Sequence, residues 1–114
     1  MDKLILDRID LLLDHIDLVF HDTDGLSIEE IEQNSILLRA TCFSVSQIGE
    51  MMIQLEKKLS SLYSELPWSR ARGMRNIIVH DYGGTDIKMV YSVIHNDLPG
   101  LKIDFNEIKS ELQK

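Results

Sequence analysis

Apolar residues recur every three or four positions along most of this chain, and that spacing makes helices the elements able to bury them. In residues 2–21, Ile5, Ile9, Leu12, Ile16 and Val19 line one face, while Asp7, Asp10, Asp14 and Asp17 lie mostly on the other. His21-Asp-Thr-Asp-Gly25 reads as a turn. A second helix opens at Ser27, where Ser27 and Glu30 match the Ser-x-x-Glu capping box. Its stripe of Ile31, Leu38, Cys42, Val45, Met52, Leu55, Leu59 and Leu62 predicts a rod roughly 50 Å long, more than a domain of this size needs. Either the rod bends, near Gly49, or part of it pairs with a second subunit. Ile48, Met51 and Met52 fit the core or such a seam equally well by spacing.

Pro67 suits the first turn of a third helix, predicted to run to Tyr82 and to stop at Gly83-Gly84. Thr85 can cap a fourth, with Asp86 favourable at its positive end and Met89, Val90, Val93 and Ile94 as its apolar face. Asp97-Leu-Pro-Gly100 is expected to end it. A weaker final helix over 102–112 would dock Ile103, Ile108 and Leu112. Short loops between helices give an all-α antiparallel bundle of four to five helices. With 114 residues, the chain is one small domain, 1–114. Aromatic content of 6% argues against a sheet-rich sandwich or barrel.

The lone Cys42 excludes an internal disulfide framework and a Cys-based zinc site, and on an apolar stripe it reads as packing. Asp2, Asp7 and Asp10 interrupt the N-terminal apolar pattern, so no signal peptide is expected. No apolar run approaches the ~18 residues of a membrane span. A soluble cytoplasmic protein in a reducing setting, with no membrane partner, is the expectation. His15, His21 and His95 lack ligand spacing, so neither metal nor cofactor is expected.

The formal net charge of −7 argues at first sight against a phosphate-rich partner. The deficit is local. Residues 1–32 carry ten acids and two bases, whereas residues 33–114 carry nine acids and ten bases. Arg70, Arg72, Arg75 and Lys88 outnumber Asp81 and Asp86 between Leu66 and Val90.

That basic stretch holds the residues best suited to chemistry: Arg72-Gly-Met-Arg-Asn-Ile-Ile-Val-His-Asp-Tyr82. On one continuous helix, Asn76 and His80 would stack four apart, with Arg72 a turn earlier. Arg75 and His80 would stand about 140° apart and could flank a phosphate-sized object. An arginine fork matches a phosphodiester, and a histidine in the last turn can move protons near neutral pH. A structural reading is also open: His80 and Tyr82 as hydrogen-bond partners at a helix end, Arg75 as a surface ion-pair residue.

Here the sequence resembles a known family. Arg75-Asn-Ile-Ile-Val-His80-Asp-Tyr82 is similar to the Arg-x4-His-x-Tyr pattern of HepT-like toxins, a branch of the HEPN helical superfamily. Pro67-Trp68, Gly73-Met74-Arg75-Asn76 and Ile94-His-Asn-Asp-Leu-Pro99 look like the same branch, so the likeness spans nearly the whole chain. The resemblance implies a homodimer with two motifs facing a shared cleft, and a metal-independent endoribonuclease acting on RNA. It implies Arg75 and His80 as the catalytic pair, with Asn76 supporting; Arg72, on the same face, is expected to assist. Tyr82 would be the residue to which a minimal nucleotidyltransferase antitoxin attaches AMP. A non-catalytic HEPN module that partners a nucleotidyltransferase is the alternative.

Overall fold

The computed structural model describes residues 2–77 and 86–114. The regular elements among the described residues are all helices, without strands, as expected. α1 spans Lys3–Thr23 and is capped by Asp2, whose side chain accepts from Leu4 N at 2.9 Å. It buries the face read from the sequence, Ile5, Ile9, Leu12, Ile16 and Val19, together with Leu13, which that reading leaves out.

The predicted long second helix is two helices. α2 covers Ile28–Gln33 and carries the expected capping box: Glu30 N donates to Ser27 Oγ, and Ser27 N to Glu30 Oε1. α3 covers Ser35–Leu59. The break falls at Asn34, where the backbone leaves the helical region (φ −103°, ψ 97°). Its N–H bonds back to the Ile31 carbonyl, and its side chain accepts from Leu37 N at 3.1 Å, so one residue caps both helices. The chain therefore needs no bend at Gly49. Ile48, Met51 and Met52 are buried against their own chain, which resolves the core-or-seam alternative for them in favour of core. Among the described residues α3 is also the one helix long and apolar enough to cross a membrane, contrary to the expectation. Its stripe of Val45, Ile48, Met52 and Leu55 is fully buried among the other helices, as in a core helix.

Two further segments differ from expectation. The predicted helix from Pro67 begins as a 3₁₀ turn, Trp68–Arg70, and continues as α4, Ala71–Arg75. Asn76 already stands outside it (φ −85°, ψ 3°). The expected stop at Gly83-Gly84 and the Thr85 cap lie outside the described residues. α5 (Ile87–Ser92) is capped by Asp86, whose carboxylate accepts from Met89 N at 3.1 Å. It does not end at Asp97-Leu-Pro-Gly100. A π-helical turn over Val93–Asp97 carries it directly into α6, Leu98–Leu112. Pro99 has no N–H and would collide with a carbonyl four residues back in a continuous α-helix. Widening by one residue, with Leu98 N bonding to Val93 O, seats the proline in the first turn of α6, where no donor is needed.

α6 runs antiparallel to α1, linked by Lys102–Asp17 (2.9 Å) and Lys109–Asp10 ion pairs. Leu98, Leu101, Phe105 and Ile108 face the core. Ile103, expected to dock, is 60% exposed.

Candidate functional site

Of the five residues singled out from the sequence, Arg72, Arg75 and Asn76 are described, and His80 and Tyr82 lie outside the described residues. The former sit at the end of a short helix that is anchored from three sides.

The first anchor is Trp68. Its indole N–H donates to the Tyr63 carbonyl at 2.9 Å, and its ring meets Phe105 edge-on at 6.1 Å. The buried indole fixes the 3₁₀ turn from which α4 starts. The second is Arg70, whose guanidinium donates to Asp97 Oδ2 at 2.7 Å. That pair ties the start of the α4 segment to the π-turn of Val93–Asp97. Trp68 and Asp97 both belong to flanks that carried the family likeness, and the structure gives each a bracing role.

The third is Gly49. A Cβ there would collide with the Arg75 backbone nitrogen, lie 2.5 Å from the Ala71 carbonyl oxygen and 2.9 Å from Met74 Cβ. Only hydrogen at that position lets the α4 backbone lie directly on α3. Ala71 and Met74 are buried in this crossing. The sequence reading missed this role. Its signal was a glycine within a strongly helical stripe, where glycine costs about 1 kcal/mol relative to alanine and needs a packing reason.

α4 thereby presents Arg72 and Arg75, three residues apart, on one exposed side. Gly73 faces the opposite way: a Cβ there would meet the Met89 methyl at 3.1 Å. Between α4 and α5 lies a cavity of about 170 Å³ lined by Ser69, Arg70, Gly73, Met74, Met89 and Val93. Arg75 Nε donates to Asn76 Oδ1 at 3.3 Å, which orients the guanidinium plane. Asn76 does this from the C-cap, with its N–H on the Arg72 and Met74 carbonyls. The expected stacking of Asn76 under His80 on one continuous helix does not hold, because the helix has ended at Arg75. Two guanidinium forks at a helix C-terminus sit where cations are favoured, and they can bind a phosphodiester.

Elsewhere the chemistry is quiet. Burial pushes the Cys42 thiol up to about 11, which keeps it unreactive. His15 Nδ1 lies 3.1 Å from Ser44 Oγ, and desolvation lowers the pKa of its ring despite nearby Asp14. Among the described residues, no group of three or more His, Cys, Asp or Glu side chains could hold a metal ion.

With this geometry in hand, comparison with known proteins defines the class. Residues 5–108 match the family described as "Ribonuclease HepT-like", and the chain belongs to that family. It is 28% identical over 103 residues to "Putative RNase TTE0752" of Caldanaerobacter subterraneus subsp. tengcongensis, covering 90% of this chain and 89% of the relative. It is 23% identical to "Probable ribonuclease HepT" of Thermococcus cleftensis, covering 90% and 94%. A third relative, "Gamma-glutamylcyclotransferase and putative RNase MJ0434" of Methanocaldococcus jannaschii, is 27% identical, and the match covers 90% of this chain but 46% of that longer protein. No solved structure matches the chain.

Proposed function

We propose that this protein is an endoribonuclease that cleaves RNA by transesterification, with Arg75 and His80 as its catalytic pair. The observation that carries the reading is the exposed Arg72–Arg75 pair, seated on α3 at Gly49 in a chain of the HepT-like ribonuclease family. The RNA 2′-hydroxyl attacks the adjacent phosphorus, and the 5′-oxygen leaves. The products are a 2′,3′-cyclic phosphate and a 5′-hydroxyl, so no protein nucleophile is required. His80 takes the 2′ proton or returns one to the leaving oxygen. Arg75 stabilises the charge that grows on the phosphoryl oxygens, and Asn76 holds its guanidinium in plane. Arg72 adds a second cation for the backbone of the substrate.

In this reading the protein is the toxin of a toxin–antitoxin pair and acts without a metal. Its partner is a nucleotidyltransferase that attaches AMP to the Tyr82 hydroxyl. The adenylate would add bulk and negative charge to the motif and repel RNA. The test uses the purified chain with RNA in EDTA: cleavage that Arg75→Ala and His80→Ala each abolish supports the enzyme. A protein that binds a nucleotidyltransferase but never cuts RNA is instead the non-catalytic module.

A further inference from the structure

α4 carries a glycine at its middle, Gly73, where alanine would favour the helix by about 1 kcal/mol. The crossing on α3 does not explain it, since Gly49 meets Ala71, Met74 and Arg75 there. Gly73 faces α5 instead, with the Met89 methyl 3.1 Å from where a Cβ would stand. That methyl is the free end of a flexible side chain. A side chain at position 73 would push it aside and take up the cavity between α4 and α5.

The cavity has an apolar floor and a polar rim. Met74 and Val93, each 1% exposed, form the floor, half-buried Met89 the wall, and exposed Ser69 and Arg70 the rim. Its volume is about 170 Å³. A cavity of ~150 Å³ holds one benzene-sized ring, so this space suits a single six-membered ring better than two fused ones. Thioethers are polarisable and pack well on aromatic surfaces, and two of them line the space. Arg70 is held at the rim by Asp97, to which it donates through Nη2 at 2.7 Å. A guanidinium carries five N–H donors, so the same fork can serve a second acceptor.

We propose that this cavity is a base-recognition site for one unstacked pyrimidine of a single-stranded RNA. The ring lies on Met74 and Met89. The Arg70 fork donates to the ring carbonyl that cytosine and uracil share. The neighbouring ring nitrogen accepts in cytosine and donates in uracil, and the Ser69 hydroxyl, able to do either, turns to suit both. Adenine has no ring carbonyl for the arginine, and its second ring exceeds the space. Arg72 and Arg75 lie across α4 from the cavity, at most the ~10–12 Å width of one helix away. At ~3.4 Å per nucleotide in a stacked strand, that is about three nucleotides, and fewer in an extended one. The site therefore reads a base at most about three positions from a phosphate held by the two arginines. That this phosphate is the scissile one rests on the ribonuclease reading; the base site rests on the cavity.

A titration without cleavage tests the site. The full chain, carrying carbon-13 in its methionine methyls, is titrated with 2′-O-methyl oligonucleotides, whose blocked 2′-oxygen cannot attack. With oligo(U), the ring current of a stacked base should shift the Met74 and Met89 methyl resonances and leave Met51 and Met52 in place. Oligo(A) should need at least about tenfold more to move them. Gly73→Leu fills the space and Arg70→Ala removes the carbonyl donor; each should weaken the oligo(U) response at least about tenfold with helicity unchanged. Methyls that stay unmoved at millimolar oligo(U), that answer oligo(A) equally, or that respond as in the wild type in either folded variant overturn the site. RNA cleavage is scored separately. A protein that cuts RNA while its Met89 methyl never moves keeps the ribonuclease and loses the base site, and methyls that move in a protein that never cuts do the opposite.

Discussion

The backbone nitrogen of Arg75 occupies the place that a Cβ on Gly49 would need: no atom larger than hydrogen fits between α3 and α4 there. A residue proposed to handle phosphate is thus placed by the absence of a side chain 26 positions earlier in the sequence.

Gly49→Ala tests that relationship with an unusual sign. In an unconstrained helix interior this change stabilises by about 1 kcal/mol. Here the methyl group meets backbone on two sides, so the expected outcome is destabilisation by roughly 1–3 kcal/mol. Urea denaturation measures it. A stabilised Gly49→Ala protein would show that α4 does not rest on α3 as described. RNA cleavage should fall more steeply than stability does, because Arg75 moves with the backbone.

The Arg70–Asp97 pair gives a second prediction. Arg70 is about half exposed and Asp97 much less so (side-chain exposures 48% and 15%). A partly screened pair of this kind is worth about 1 kcal/mol or less, and less still in high salt. A double-mutant cycle with Arg70→Ala and Asp97→Ala should return a coupling energy of that size. No coupling would mean that the brace between the 3₁₀ turn and the π-turn is incidental.

His15 predicts a pH dependence. Burial lowers its folded-state pKa below the ordinary 6.5, so the folded protein favours the neutral ring. Its contribution is fully present above pH 6.5 and is lost as pH falls through the folded pKa, because the unfolded chain binds the proton first. Stability measured from pH 7.5 downward should decline through this window, and His15→Gln should flatten that part of the curve. A wild-type profile that rises on acidification through pH 6 would contradict the assignment.

Much of this architecture is legible from residue spacing. The buried face of α1, the capping box at Ser27 and Glu30, and the all-helical class all follow from periodicity and cap chemistry. What escaped has local causes. Asn34 interrupts an apolar stripe that continues in phase across it, so periodicity alone could not reveal the break. Pro99 reads as a helix stop because a π-turn that accommodates proline leaves no sequence signal of its own. The helix expected through Asn76 ends at Arg75, where Asn76 turns its N–H back and its side chain toward the arginine. Within the site, the residue types were legible, whereas Gly49 and the Arg70–Asp97 brace depend on elements distant in sequence.

Cleavage of RNA by the purified chain in EDTA, with the termini of the products identified, tests the central claim most directly. The account predicts 2′,3′-cyclic phosphate ends, with the rate lowered about 10²-fold or more by Arg75→Ala and by His80→Ala in proteins that remain folded. Cleavage that either variant leaves at the wild-type rate, or a folded wild type that leaves RNA intact, would contradict it.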